Sequence, residues 1–470
     1  MSIRIFGHYV SVPLLLLLLA ETAIHTGAVY LAGTIRFLDI QFQIESAVGG
    51  GAVWVLPRAL MYAFVMSSVM ITFGLYGSEL NKSDREYQVR FFASFPAGAV
   101  AMAIIFYVLP ESFLGRGIMA LSVVSSLILT TLARAVFFRA VGYEALKRRI
   151  LVIGSGSRAV EVNTLTNTLG PRAGFNLVGF VQCGDEQPQL DESRLLGHSN
   201  SLRTLVKQYR VDEIVVGVRE RRNGHLSMSE LLDCKLSGIS VVDLPTFFER
   251  ETGHVQLDSL SMSWLVFSEG FYRTVQQQLL KRAFDVCVSG VVLIGALPIM
   301  LLAGLAIWFE SGRPILYRQK RVGEYGRVFD ILKFRSMRVD AEKDGVARWA
   351  QKNDDRVTRV GKFMRLTRID ELPQLINVLR GDMSFVGPRP ERPPFVSELN
   401  QKVRLYGSRH SVKPGITGWA QIRYPYGASV DDAVHKLQYD LYYVKNHSLF
   451  LDLLILFQTA EVVLFGKGAR

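Results

Sequence analysis

Four long apolar blocks in the first 145 residues, near residues 9–35, 53–76, 91–109 and 118–138, limit what this chain can fold into. Each is close to the roughly 20 residues an α-helix needs to cross a bilayer. The leucine run after Pro13 could open a cleaved signal peptide, but no small-residue cleavage site follows Leu19 and three more blocks come after it. It therefore reads as a span. Lys82, Arg85 and Arg90 lie between the second and third blocks, and Lys147, Arg148 and Arg149 follow the fourth. The other two loops carry essentially Arg36 and Arg116. Because cytoplasmic loops hold the excess of Lys and Arg, the N-terminus and everything after residue 145 are expected in the cytoplasm. Residues 1–145 are thus expected to form a four-helix transmembrane domain.

Beyond it the pattern becomes that of a soluble α/β protein. Cys183, Cys234 and Cys287 are far apart and form no CxxC pair, which argues against a disulfide framework or structural zinc. Over residues 146–265, short β-branched runs at 149–153, 176–183, 212–218 and 239–244 alternate with helical stretches at 201–209 and 227–237. That alternation predicts a Rossmann-like parallel sheet. The turn Gly154-Ser155-Gly156-Ser157-Arg158-Ala159 fits GxGxxA, which can cradle a pyrophosphate at a helix N-terminus. The acid expected about 20 residues later is not placed, since Asp185 and Glu186 come too late, so packing or regulation is the favoured role of these glycines.

A fifth apolar block, 283–309, would be about 40 Å long as a helix. Lys281 and Arg282 precede it, and Arg313, Arg318, Lys320 and Arg321 follow. Crossing the bilayer would carry a basic domain outward, against the charge rule. Pro298 near its middle removes a helix hydrogen bond. A re-entrant membrane helix over 277–312, entering and leaving by one face, is the expectation. Residues 313–413 then hold 23 Lys and Arg against 12 Asp and Glu, a net +11 of the chain's formal +12. Such a surface beside a membrane suits anionic lipid or a phosphorylated substrate. Nucleic acid is not expected, because no recognition motif accompanies the charge.

Within this basic region stands RIDELPQLINVLRGDMSFVGPRP, residues 368–390. Leu372, Leu375, Ile376 and Leu379 share one helical face, and Gly381 ends the helix. Asp370 is then expected at the N-cap and Glu371 at the first helical position, where acids are favoured for purely structural reasons. A helix start also attracts phosphate. Arg365, Arg368 and Arg389 could neutralise a phosphoryl group that a carboxylate attacks, since anion otherwise repels anion. Glu371 could hold a divalent metal on the same diphosphate. Pro388 and Pro390 restrict the backbone that aims Arg389.

KRAFD before a proline-containing apolar helix, YRQKRVG, ILKFRSMR, the long DELPQL…GDMS…GPRP run and KPGITGWAQ together resemble the bacterial sugar transferases, monotopic polyprenyl-phosphate glycosyl-1-phosphate transferases. The likeness covers about residues 277–467, and the N-terminal spans with the Rossmann-like domain resemble the family's large form. It implies a mixed α/β catalytic domain over 313–470 with C-terminal interfacial helices. It also implies transfer of a sugar-1-phosphate from a UDP-sugar, UDP-glucose or UDP-galactose, to undecaprenyl phosphate with release of UMP. Carried over, Asp370 is the nucleophile and Glu371 its metal-binding or acid–base neighbour, the two holding Mg2+. Arg365 and Arg389 match phosphate-binding residues, with Lys333, Arg335 and Arg368 as further candidates. Lys281, Arg282, Asp285 and Pro298 match the re-entrant segment. The resemblance places the protein in the bacterial inner membrane, with the catalytic domain on the cytoplasmic face, as a homodimer.

After GWAQ this chain continues IRYPYGAS where small family members continue NGRN, a departure that leaves the donor sugar open and makes Arg423 the candidate for the missing arginine. The 449–466 segment is apolar but broken by Asp452 and Glu461, which favours an interfacial or packed helix over a sixth span. The tyrosines before it suit headgroup level or a dimer contact, and His410 and His435 read as ordinary surface or core residues. Two other classes are weighed. A Rossmann oxidoreductase would want a Tyr-x-x-x-Lys pair, which the cytoplasmic α/β region lacks; a non-enzymatic scaffold would not need an Asp–Glu pair among bases.

Overall fold

The computed structural model describes residues 2–5, 8–36, 55–76, 85–140, 147–170, 173–183, 188–198, 202–218, 227–257, 260, 270–271, 274–338, 356–424 and 429–465. The chain divides into two compact units whose main bodies are residues 9–251 and 252–470. A short strand pair, β1 (Ser2–Ile5) and β2 (His8–Ser11), precedes the first helix.

In the first unit, α1 (Val12–Arg36), α2 (Val55–Thr72), α3 (Arg85–Val108) and α4 (Arg116–Ala140) form an antiparallel ring in which α1 packs on α2 and α4, and α3 on the same two. All four contain segments long and apolar enough to cross a membrane. Tyr62, Met66, Met70, Phe95 and Met102 fill the centre. Glu21 of α1 and Arg134 of α4 are buried and paired at 2.5 Å and 2.8 Å, with the Tyr76 and Tyr87 hydroxyls joining them. A charge inside an apolar bundle is costly unless paired, and this pair joins the first helix to the fourth.

The sheet of this unit is parallel throughout: β3 (Arg148–Ile153), β4 (Phe175–Gln182), β5 (Leu195–His198), β6 (Glu213–Val216) and β7 (Ser240–Asp243), in the order β5-β4-β3-β6-β7. The expected parallel sheet is present. β5 was not foreseen, because LLGH is four residues with an internal glycine. Helices α5 (Ser157–Leu169), α6 (Leu202–Gln208), α7 (Met228–Leu236) and α8 (Leu244–Thr252) accompany the strands. Gly154 has φ +121° and leads into α5, whose N-cap is Gly156, so the glycine turn sits where the pattern put it. Arg148 and Arg250 alternate with Glu213 and Glu251 in a closed ring of ion pairs at 2.5–3.1 Å, tying the start of β3 to the end of α8.

The second unit begins with α9 (Val275–Ser311), a 37-residue helix that contains Pro298. Pro298, expected to bend the segment, lies inside this helix near its middle. One proline within so long a helix removes a single backbone donor while packing at both ends holds the remainder. A hairpin, β8 (Leu316–Val322) with β9 (Val328–Phe334), is antiparallel. Then come α10 (Arg359–Thr367), α11 (Gln374–Arg380), β10 (Ser384–Val386), α12 (Pro393–Lys402), β11 (Gly415–Thr417), α13 (Trp419–Arg423), α14 (Val430–Asn446) and α15 (Leu449–Phe465). β10 and β11 pair in parallel. Leu451 and Ile455 of α15 are fully buried in the main core of the unit, so the last helix is packed, as expected over a sixth span. Tyr442 and Tyr443 lie in the same core, which removes them from headgroup level and from any dimer surface.

Candidate active site

Asp370 and Glu371 do not occupy the N-cap and first position of α11. They form a 3-10 turn, Ile369–Glu371, closed by Glu371 N–H to the Arg368 carbonyl and Leu372 N–H to the Ile369 carbonyl. Pro373 offers no N–H and itself occupies the cap of α11, so helical bonding starts later than the apolar spacing implied. Arg368 links α10 to this turn in the left-handed region, φ +60°, an uncommon conformation for an arginine. The buried face of α11 is Gln374, Leu375, Asn377 and Val378, while Leu372, Ile376 and Leu379 are only half-buried. The polar members of that face are explained by what they bond, not by helical periodicity.

Both carboxylates are 8% exposed. Glu371 Oε1 accepts from Lys333 Nζ at 3.1 Å and Arg389 Nη2 at 2.8 Å, with Arg368 Nη1 at 3.8 Å. Burial alone would raise its pKa, but Arg389 and Lys333 outweigh that and hold it well below the usual carboxylate range. Asp370 is the reverse case. Burial, then the Glu371 charge, push its pKa up against the pull of Lys333, Arg365 and Arg368. Its Oδ1 is buried and has no hydrogen-bond partner among the described residues. Lys333 is pulled down by burial, an effect Glu371 opposes.

The segment carrying Arg389 is clamped through its carbonyls. Arg409 Nη2 donates to the Arg389 carbonyl at 2.9 Å, Arg321 Nη1 to the Pro390 carbonyl at 3.1 Å, and Val322 N–H to the Glu391 carbonyl at 3.0 Å. Arg409 is itself buried against Asp440 at 2.7 Å and the Tyr406 hydroxyl at 2.6 Å. Burial raises Asp440 to about 6, with Arg409 opposing. Arg365 Nε donates to Ser336 Oγ at 2.9 Å. Arg335 is not brought to the carboxylates by any bond. Its Nη2 closes the end of α9 on the Ser311 carbonyl, Ser311 Oγ and the Gly312 carbonyl at 2.8 Å each, and its Nε and Nη1 stay buried without a partner among the described residues.

The residues assigned to the membrane segment serve as its anchor. Asp285 Oδ1 accepts from Lys281 Nζ, Ser384 Oγ and Phe385 N–H at 3.0–3.1 Å. Lys281 also pairs with Asp452 of α15 at 2.8 Å, and Arg282 donates to the Val378 and Leu379 carbonyls that end α11. The Tyr443 hydroxyl lies 2.8 Å from Asp452 Oδ1 and 2.9 Å from the Val386 carbonyl and shares its one proton between these two acceptors. Sequence reasoning missed Asn377, Arg409, Asp440, Tyr443 and the packing role of Asp452. Arg409 lies in the polar turn Tyr406–Ser411; the signal of the others was a polar residue within an apolar helical pattern, which reads as a solvent face until a partner is seen. Arg423 has its guanidinium 4.6 Å from the centroid of the Trp419 ring.

Among the described residues no group of three or more His, Cys, Asp or Glu gathers in metal-ligand geometry. Asp370 with its orphaned oxygen and the adjacent Glu371 are nonetheless a donor pair that suits Mg2+, an ion commonly held by one or two carboxylates with substrate phosphates completing its shell.

A family model described as bacterial sugar transferase matches residues 276–466. Over 263 residues the chain is 41% identical to the UDP-N-acetylgalactosamine-undecaprenyl-phosphate N-acetylgalactosaminephosphotransferase of Aeromonas hydrophila, covering 56% of this chain and 61% of that protein. It is 34% identical to the UDP-glucose:undecaprenyl-phosphate glucose-1-phosphate transferase of Klebsiella pneumoniae over 343 residues, 72% of each. It is 31% identical to the undecaprenyl-phosphate galactose phosphotransferase of Salmonella typhimurium over 364 residues, 71% of this chain and 73% of that one. The match thus spans about three fifths of the first relative and nearly three quarters of the other two. With Arg389 of the GPRP run bonded to Glu371 of DELPQL, and the KPGITGW strand paired to the segment that carries it, the chain belongs to the bacterial sugar transferase family.

Proposed function

We propose that this protein transfers a sugar-1-phosphate from a UDP-sugar to undecaprenyl phosphate through a covalent intermediate on Asp370. The observation that carries the reading is the asymmetry of the pair. Glu371 is held charged by Lys333 and Arg389, while Asp370 keeps a buried carboxylate oxygen without a partner among the described residues. In the first step that oxygen attacks the β-phosphorus of the donor. An aspartyl–phosphorus bond forms, the bond to the bridging oxygen breaks, and UMP leaves with the electron pair. In the second step a phosphate oxygen of undecaprenyl phosphate attacks the same phosphorus and the Asp370 carboxylate departs, leaving the lipid diphosphate sugar. Arg389, Arg368 and Lys333 neutralise the phosphoryl oxygens, which an anionic nucleophile requires. Asp370 and Glu371 would hold Mg2+, which when bound supplies charge neutralisation on the diphosphate.

The membrane part of the reading rests on α9. Lys281, Arg282 and Asp285 near its start bond to α11 and β10. Near its end, Ile307 packs with Phe334 and Met364, and Glu310 caps the start of α10 at 2.8 Å. Between them Val291, Ile294, Leu297, Leu301 and Leu302 are exposed. A helix with both ends on one folded unit and an apolar middle fits a re-entrant segment better than a crossing. The charge rule puts that unit on the cytoplasmic face of the inner membrane. Names of the relatives include glucose, galactose and N-acetylgalactosamine, so the donor is the open variable; UDP-glucose and UDP-galactose are proposed.

The test is UMP release by purified protein with Mg2+, undecaprenyl phosphate and each UDP-sugar in turn. Asp370→Asn is expected to lose turnover by about a thousandfold or more. Equal turnover by wild type and variant would remove Asp370 as nucleophile.

A further inference from the structure

Asn377 is fully buried, lies on the inner face of α11 and belongs to no part of the reaction described above. Its side-chain amide is spent on strand β9. Oδ1 accepts from Leu332 N–H at 3.0 Å, and Nδ2 donates to the Asp330 carbonyl at 2.9 Å and to Asp382 Oδ2 at 3.3 Å. Residues 330 and 332 flank Ile331, and β8 pairs with β9 along its other edge. In a parallel ladder, a residue on the neighbouring strand takes an N–H from position i+1 and gives one to the carbonyl of position i−1. The Asn377 amide makes that pair of bonds opposite Ile331. It does the work of a missing third strand with a single side chain, and it satisfies the buried Leu332 N–H, which would otherwise be left unpaired.

The position of this contact matters for the reaction. Lys333 follows Leu332 directly on β9, and its Nζ reaches Glu371 at 3.1 Å across from α11. Ile331, Val378 and Met383 pack beside it, but apolar packing tolerates sliding, whereas two directional bonds set a register. We infer that Asn377 is a positioning residue, which sets the register of β9 against α11 so that the Lys333 ammonium meets Glu371. The inference rests on the transferase reading for its kinetic consequence, but its structural consequence is independent of it.

Two measurements separate these. Lysine labelling by reductive methylation, read by mass spectrometry on the full-length protein, compares Lys333 with the exposed Lys402 in the same sample. Asn377→Asp keeps the shape and the acceptor for Leu332 N–H but loses the donor to Asp330; Asn377→Ala loses both. Lys333 is expected to label several-fold faster relative to Lys402 in both variants. An unchanged ratio in both would overturn the inference, whatever the donor proves to be. In the UMP-release assay, Asn377→Asp is expected to lower kcat about 10- to 100-fold, as misplacement of a catalytic group does, with the donor KM little changed. Against a Lys333→Ala background the same substitution is expected to cost less than about twofold, because residues acting through one contact are not additive. A full additive loss in that background would show Asn377 to be structural only. Silence of the wild type with every donor would instead count against the transferase reading, and the labelling ratio would still decide the role of Asn377.

Discussion

Asp370 and Glu371 are chain neighbours with equal burial and opposite electrostatics. Glu371 is surrounded by donors that keep it ionised, and its charge is one of the two forces that make Asp370 harder to ionise. A nucleophile must be the anion. As pH falls, activity is therefore expected to decline through a pKa lying above the ordinary carboxylate value of about 4. Glu371→Gln removes the neighbouring charge, so whatever activity remains should hold to a lower pH than in the wild type. The pH dependence of kcat for the two proteins checks this, and an acid limb moving upward in the variant would contradict it. The pair and its arginines were legible in the sequence because like charge does not collect around two acids without a reason. The opposite electrostatics of the two acids were not legible, since they depend on which oxygen Lys333 and Arg389 reach.

At the scale of elements, the VGPRP and KPGITGW motifs meet backbone to backbone. β10 and β11 pair with Ser384 opposite Gly415 and Val386 opposite Thr417, and Gly387 N–H donates to the Thr417 carbonyl at 2.8 Å. A Cβ on Gly415 would stand 2.0 Å from the Gly387 nitrogen, and one on Gly418 2.2 Å from the Gly387 carbonyl oxygen. These neighbours are main chain and cannot swing aside, so the glycines allow a close approach that places the Arg389 segment. Gly415→Ala is expected to destabilise the protein by roughly 1–3 kcal/mol or more, as overpacking does. Gly407→Ala, whose Cβ meets nothing nearer than 3.4 Å, should stay within about 0.5 kcal/mol. Thermal unfolding of both variants in detergent measures the difference; equal melting temperatures would mean the clasp carries no strain. Sequence reading found both motifs but could not tell that one exists to receive the other, because strand pairing across 31 residues leaves no local signal.

For the whole molecule, five helices among the described residues are long and apolar enough to cross a membrane, and α9 differs from the other four in having charged anchors at both ends within one unit. For a re-entrant α9, single cysteines at Gln277 and Gly312, each introduced with Cys183, Cys234 and Cys287 replaced by Ser, should both react with a membrane-impermeant maleimide only after the cytoplasmic face is opened. Labelling of Gly312→Cys alone in intact cells would mean that α9 crosses. The buried Glu21–Arg134 pair makes a separate case for the first unit. Removing the arginine alone leaves a buried carboxylate uncompensated, so Arg134→Leu should cost about 3–5 kcal/mol, read as a lower unfolding temperature. Recovery in Glu21→Leu/Arg134→Leu would show that the penalty comes from the orphaned charge.

By itself the sequence determined what one-dimensional patterns can carry: apolar length for helices able to cross a membrane, alternation of strand and helix for the parallel sheet, charge density for a strongly basic surface, and a long ordered motif for the family. Each of these is a property of neighbouring residues. The tertiary structure alone decided that the acids form a 3-10 turn and not a helix cap, and that α11 buries Asn377 instead of Ile376. It also decided that Asp452 packs inward against Lys281, and that Arg335 closes α9. The last two of those outcomes turn on which polar atom finds a partner when water is excluded, and the partners lie 23 to 171 residues away in the chain, where no periodicity reaches.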